Sequence, residues 1–191
     1  ISYLTNDASR LGERALAMRG DQFLAFNSVA RSHNHKPWQR SESPEEFAER
    51  IAINKEKGET RRQTEEELLG LARPDPVREE NACRYLKLRY RLFPYLYSAA
   101  RETYDTGLPM TRPLMVAFEE DENCNAGQYP SEYMFGDGLL VCPVCSPEPK
   151  MKAYFPQGEW IGFFDGKRYP GGCEHELDVS DPSVLPLFVR S

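Results

Sequence analysis

Apolar and polar positions change their rhythm along the chain. From residue 10 to 30, Leu11, Ala15, Leu16, Met18, Phe23, Leu24 and Phe26 recur at mostly helical spacing, with Asp7 or Ser9 available as N-cap. From Glu79 to Tyr104, Leu86, Tyr90, Phe93, Tyr97, Ala100 and Tyr104 recur at intervals of four and three. This predicts a long helix, kinked at Pro94 and closed by Gly107. Beyond Gly107 the pattern turns to short apolar runs at Leu114–Phe118, Tyr133–Phe135, Leu139–Cys142, Lys152–Phe155, Trp160–Phe164 and Leu185–Val189. Turn signals at Gly136-Asp137-Gly138, Pro156-Gln157-Gly158, Asp165-Gly166 and Pro170-Gly171-Gly172 separate them, as antiparallel strands require. Helices first and strands afterwards predict an α+β chain, its second half a small β-sandwich or barrel.

Between these regimes lies a charged stretch. Residues 41–80 hold 12 acids and 7 bases, opening with Ser43-Pro44-Glu45-Glu46, a capping residue followed by Pro and acids in a first turn. Few apolar residues accompany them, so the stretch reads as a solvated helical surface insertion.

Composition narrows the function classes. The 191 residues carry a net charge of −6 and 40% apolar residues, which fits a packed globular chain. No Lys/Arg stripe of the kind a nucleic-acid binder uses is present, and no run of about 18 apolar residues predicts a membrane span. The length falls short of the roughly 250 residues of a complete (β/α)₈ barrel. The opening Ile1-Ser2-Tyr3 and the strand-like ending Leu187-Phe188-Val189 suggest part of a longer protein. Five cysteines, Cys83, Cys124, Cys142, Cys145 and Cys173, lack the density of a disulfide framework. Cys142-x-x-Cys145 has no second pair to complete a zinc site, so buried or half-buried free thiols are expected.

Candidate chemistry is sparse. Glycoside hydrolysis needs two carboxylates flanking the scissile bond. Asp137 and Asp165 are acidic candidates, but both sit where a hairpin favours Asp-Gly, so turn geometry accounts for them. Arg31-Ser32-His33-Asn34-His35-Lys36-Pro37-Trp38 gathers donors, a planar cation and an aromatic ring directly after the first helix. By itself it reads as a polar loop, and His33 and His35 lack a third metal ligand of the right kind nearby.

The order of motifs resembles glycoside hydrolase family 31, the α-glucosidase and α-xylosidase family. Phe26-Asn27-Ser28-Val29-Ala30-Arg31-Ser32-His33 with Lys36-Pro37-Trp38 is similar to that family's AF-x-P-x-x-R-x-H and EPW stretch. Arg84–Tyr97 resembles its last barrel helix, and Gly107-Leu108-Pro109-Met110-Thr111-Arg112-Pro113-Leu114 its passage into the proximal C-terminal sandwich. Tyr133–Val144, Tyr154–Trp160, Phe164–Tyr169 and Leu185–Arg190 follow in family order. Ser28 in place of Pro, Gly20 in place of an aromatic, Lys36 in place of Glu and the charged insertion mark a divergent branch.

The resemblance implies helical closing elements of a TIM barrel over 1–106, with the insertion at 40–78, and a β-sandwich over 107–191. It implies part of a retaining α-glycosidase acting on α-linked oligosaccharides without metal or organic cofactor, and neither nucleic acid nor membrane is expected as a partner. The nucleophilic and acid/base aspartates would lie upstream, so the chain alone is expected to be inactive and to need the remainder of the barrel, in cis or as an associated chain. His33 maps onto the family's histidine that hydrogen-bonds sugar hydroxyls, a task suited to an imidazole that donates at one nitrogen and accepts at the other. Two alternatives stand beside this reading: a non-catalytic carbohydrate-binding or structural β-module, and a transglycosylase or lyase of the same family.

Overall fold

The structure, a computed structural model, describes residues 10–31, 52, 75–125 and 127–191. Helix α1 spans Arg10–Ala25 and α2 spans Pro76–Arg91. Asp75 caps α2 by accepting from the Val77 and Arg78 amides, and Pro76 supplies the fixed φ of a first helical position. The Arg78 guanidinium pairs with Asp21 at 2.9 and 3.3 Å and ties α2 to α1.

The kink expected at Pro94 is instead a break at Leu92, followed by a separate helix, α3, at Phe93–Thr106. Pro94 has no N–H to offer the Tyr90 carbonyl, so it sits in the first turn of the new helix. Gly107 ends α3 with φ 78°.

The strands are β1 Thr111–Pro113, β2 Tyr133–Phe135, β3 Leu139–Val141, β4 Lys150–Phe155, β5 Glu159–Gly162, β6 Arg168–Pro170, β7 Cys173–Asp178 and β8 Leu187–Arg190. Six form an antiparallel sheet in the order β1-β2-β3-β8-β5-β6, and β4 pairs with β7 in a second sheet. The run Leu114–Phe118, expected as a strand, is corrected: Leu114–Ala117 forms one helical turn, α4, closed by the Phe118 amide on the Leu114 carbonyl at 2.8 Å. A second short turn, α5, covers Glu122–Asn125. Strand β7 escapes a search for apolar runs because Cys173-Glu174-His175-Glu176-Leu177-Asp178 buries only Leu177.

The six-stranded sheet is covered on both faces. Met134, Leu140, Trp160 and Phe188 point to the two-stranded sheet, where Phe155 lies 4.4 Å from the Phe188 ring centroid. Tyr133, Phe135, Leu139, Val141 and Leu187 point the other way and pack with Ala25, Phe26, Tyr85 and Leu96 of the helical segments. This explains why β2 and β3 read as continuous apolar runs rather than as alternation. Each fully buried side chain of this size contributes ~1.5–3 kcal/mol to folding. Helices and sheet thus share one core across position 107 in an α+β, sheet-rich arrangement.

The helical periodicity of Leu86, Tyr90, Phe93, Tyr97 and Tyr104 lies on the opposite face: their exposures run from 43% to 83%. Asn81, Tyr85, Leu96 and Ala99 are the residues α2 and α3 bury. Of the cysteines, Cys124 and Cys142 are buried as expected, whereas Cys83, Cys145 and Cys173 are exposed, which corrects the expectation for those three. Cys145 falls after β3 has ended, where its thiol meets the Pro143 carbonyl at 3.7 Å. No helix among the described residues is long and apolar enough to cross a membrane.

Candidate functional site at the end of helix α1

His33 and His35 lie outside the described residues, as does most of the 40–78 insertion. What the structure does describe is the platform from which the segment leading to His33 departs. Helix α1 ends at Ala25, and Ser28, Val29, Ala30 and Arg31 are exposed. A helix end leaves its last carbonyls without intrahelical donors, so their partners decide the direction in which the chain leaves.

Those partners come from two other elements. Arg89 on α2 donates from one terminal nitrogen to the Ala25 and Asn27 carbonyls, both at 2.7 Å, and from the other to the Ser28 carbonyl at 3.2 Å. The Tyr133 hydroxyl on β2 donates to the Phe26 carbonyl at 2.9 Å. The Asn27 amide turns back to the Phe23 carbonyl at 2.6 Å. Four successive carbonyls, 25 to 28, are thereby held by α2 and β2. A cation suits the negative end of a helix. Burial lowers the pKa of Arg89 and raises that of Tyr133, which remains the neutral donor this contact requires.

The other side of α1 is latched to the loop before β8. Arg19 donates to the Val179 and Val184 carbonyls at 2.6 and 2.8 Å, and Gln22 donates to the Pro182 carbonyl at 2.7 Å. Tyr85 donates to the Ser183 carbonyl at 3.1 Å and accepts from the Leu185 amide at 2.8 Å. Helix α1 is therefore fixed in rotation by the strand half of the chain. The polar partners that set this platform, Arg19, Gln22, Tyr85, Arg89 and Tyr133, were not singled out by sequence reasoning. The available signal was the placement of Gln22 at helical spacing from Met18 and Ala25, a polar residue on the apolar stripe of α1.

The acidic candidates are accounted for by turns. Asp137 pairs with Arg112, whose guanidinium is buried and also reaches Glu102 at 2.7 Å and the Pro109 carbonyl at 2.7 Å. Asp165 accepts from the Lys167 amide at 3.1 Å within the β5–β6 turn, which holds its carboxyl below the usual range against the opposing effect of burial. Glu132 is a buried carboxyl that sequence reasoning missed. Both its oxygens face the Tyr154 amide, at 3.1 and 3.2 Å, and burial pushes its pKa up to about 8. It bridges the two sheets at the start of β2, inside the sandwich. Among the described residues no group of three His, Cys, Asp or Glu side chains converges to hold a metal ion. Among the described residues, the best-defined polar arrangement is thus the one that holds the exit of α1 through Arg89 and Tyr133.

Comparison with known proteins places this arrangement. Residues 107–191 match the glycosyl hydrolase family 31 C-terminal domain. Alpha-glucosidase 2 of Bacillus thermoamyloliquefaciens is 35% identical over 108 residues, covering 56% of this chain and 13% of that protein. The isomaltosyltransferase of Sporosarcina globispora is 37% identical over 110 residues, covering 56% of this chain and 10% of that protein. The structure of a Flavobacterium johnsoniae family 31 dextranase complexed with isomaltotriose superimposes with a TM-score of 0.68 at 26% identity, over 93% of this chain and 18% of that one. The chain spans between 10% and 18% of the length of these relatives. Residues 107–191 therefore belong to the C-terminal domain of glycoside hydrolase family 31, and together with the helices before them they resemble the corresponding region of family 31 structures.

Proposed function

We propose that the chain is the C-terminal part of a retaining α-glycosidase that hydrolyses terminal α-glycosidic bonds of oligosaccharides. In this reading residues 1–106 close a (β/α)₈ catalytic barrel, residues 107–191 buttress it, and both catalytic aspartates come from outside residues 1–191. The observation that carries the reading is the anchored end of α1, since the motif Arg31-Ser32-His33 follows directly from carbonyls fixed by Arg89 and Tyr133. His33 then supplies hydrogen bonds to sugar hydroxyls beside the scissile bond. Its contribution is to bind and orient the ring while upstream carboxylates carry out attack and proton transfer.

The exposed stripe Leu86, Tyr90, Phe93 and Tyr97 supports a covering partner for α2 and α3, and the remainder of the barrel is that partner. The test compares the 191-residue chain with a preparation that also contains the upstream barrel, using aryl α-glucosides. The chain alone is expected to give no turnover, and the larger preparation to release product of retained α configuration. Turnover by the chain alone, after contaminant controls, contradicts the reading.

Transglycosylation is the second reading, favoured by the similarity to an isomaltosyltransferase. It shares every residue named here, and an added acceptor sugar separates it from hydrolysis by the appearance of a longer oligosaccharide.

A further inference from the structure

We propose that Arg89 is a positioning residue, setting the sugar-contacting segment after α1 through the carbonyls of Ala25, Asn27 and Ser28. The inference rests on the reading of His33 as a substrate contact and deepens it. Arg89 sits on α2, 61 to 64 residues from its acceptors, and all three of its bonds go to backbone carbonyls at the exit of α1. A guanidinium bonded to one carbonyl would fix a single point of the chain. This one spans the last residue of the helix and two residues beyond it, so it fixes a direction and not merely a contact.

Lysine cannot replace it. A single ammonium lacks the planar fork that reaches three carbonyls at once, although it keeps the charge near the helix end. Tyr133 completes the collar at Phe26 from the opposite side, through β2. The chain leaving at Ser28 is therefore referenced both to the helical layer and to the six-stranded sheet. A shift of about 1 Å in a contacting group can cost ~100-fold in rate, so a loosened collar is sufficient to impair a ligand contact five residues further on.

The test uses the enzyme that includes the upstream barrel, with Arg89→Lys, His33→Ala and the double variant, each compared per folded molecule. Arg89→Lys is expected to lower kcat/KM about 10- to 100-fold. Added to His33→Ala, it is expected to cost little more, because the contact it positions is already gone. Full multiplication of the two losses, or normal kcat/KM in Arg89→Lys while His33→Ala is impaired, overturns the inference and leaves the reading of His33 intact. Normal kcat/KM in His33→Ala overturns that reading instead. If Arg89→Lys fails to fold, Tyr133→Phe removes one bond of the collar while keeping the ring. It is expected to show a smaller loss that likewise disappears in the His33→Ala background, and independent effects overturn the inference.

Discussion

The Tyr133 hydroxyl donates to the Phe26 carbonyl at 2.9 Å, joining residues 107 positions apart in a buried contact between β2 and the end of α1. The ring of Tyr133 also meets Phe23 edge-on, with centroids 6.0 Å apart. One side chain therefore joins the helical layer to the sheet by packing and by a hydrogen bond.

Removing only the oxygen isolates the second of these. Tyr133→Phe leaves the Phe26 carbonyl without its donor in a residue that is 1% exposed, and the cost is about 1–3 kcal/mol of folding stability. Denaturant unfolding monitored by tryptophan fluorescence measures it. An unchanged midpoint at unchanged slope would show that water or a relaxed backbone satisfies the carbonyl.

Gly136 is held by conformation and by space. Its φ is 62°, and a Cβ there would overlap the Tyr95 hydroxyl. That hydroxyl cannot withdraw freely, since it donates to the Phe135 carbonyl at 2.5 Å and accepts from the Gly138 amide at 3.0 Å. Gly136→Ala is expected to destabilise the protein by roughly 2–4 kcal/mol, the sum of left-handed strain and a displaced hydrogen-bonding group. Thermal unfolding of the variant checks it, and a melting temperature equal to wild type contradicts it.

Glu132 makes stability fall as pH rises. Its carboxyl titrates at about 8 in the folded chain against 4.5 as an unperturbed group, so between these values the folded state keeps a proton that the unfolded state has released. Stability from this group is fully present below pH 4.5 and declines up to pH 8, by at most ~1.4 kcal/mol per pH unit. Glu132→Gln removes this dependence, so the stability difference between wild type and variant should move in the variant's favour from pH 5 to pH 8. Paired urea titrations across that range measure it, and a difference that stays flat contradicts the burial argument.

The strand half was legible where chemistry is local. Tyr133–Phe135 and Leu139–Val141 announce strands by unbroken apolar character, and Gly136-Asp137-Gly138 announces the turn between them. Leu114–Ala117 misled because an apolar run of four or five residues has no readable period, and one helical turn after Pro113 looks like a strand. The platform beneath the candidate site was not legible for a different reason. The acceptors of Arg19, Tyr85 and Arg89 are backbone carbonyls, which every residue carries, so no residue type reveals the pairing. Glu132 was hidden in the same way, its partner being the Tyr154 amide on another sheet.

The most direct test of the central claim is kcat/KM for an α-glucoside in a preparation that joins this chain to the proposed upstream barrel, with His33→Ala beside His35→Ala. A transition-state donor at position 33 predicts a loss of about 2–4 kcal/mol, or roughly 30- to 1000-fold, for the first variant. The second should lose less than ~1 kcal/mol, with both melting as wild type does. His33→Ala with wild-type kcat/KM would contradict the claim that this segment contacts the sugar.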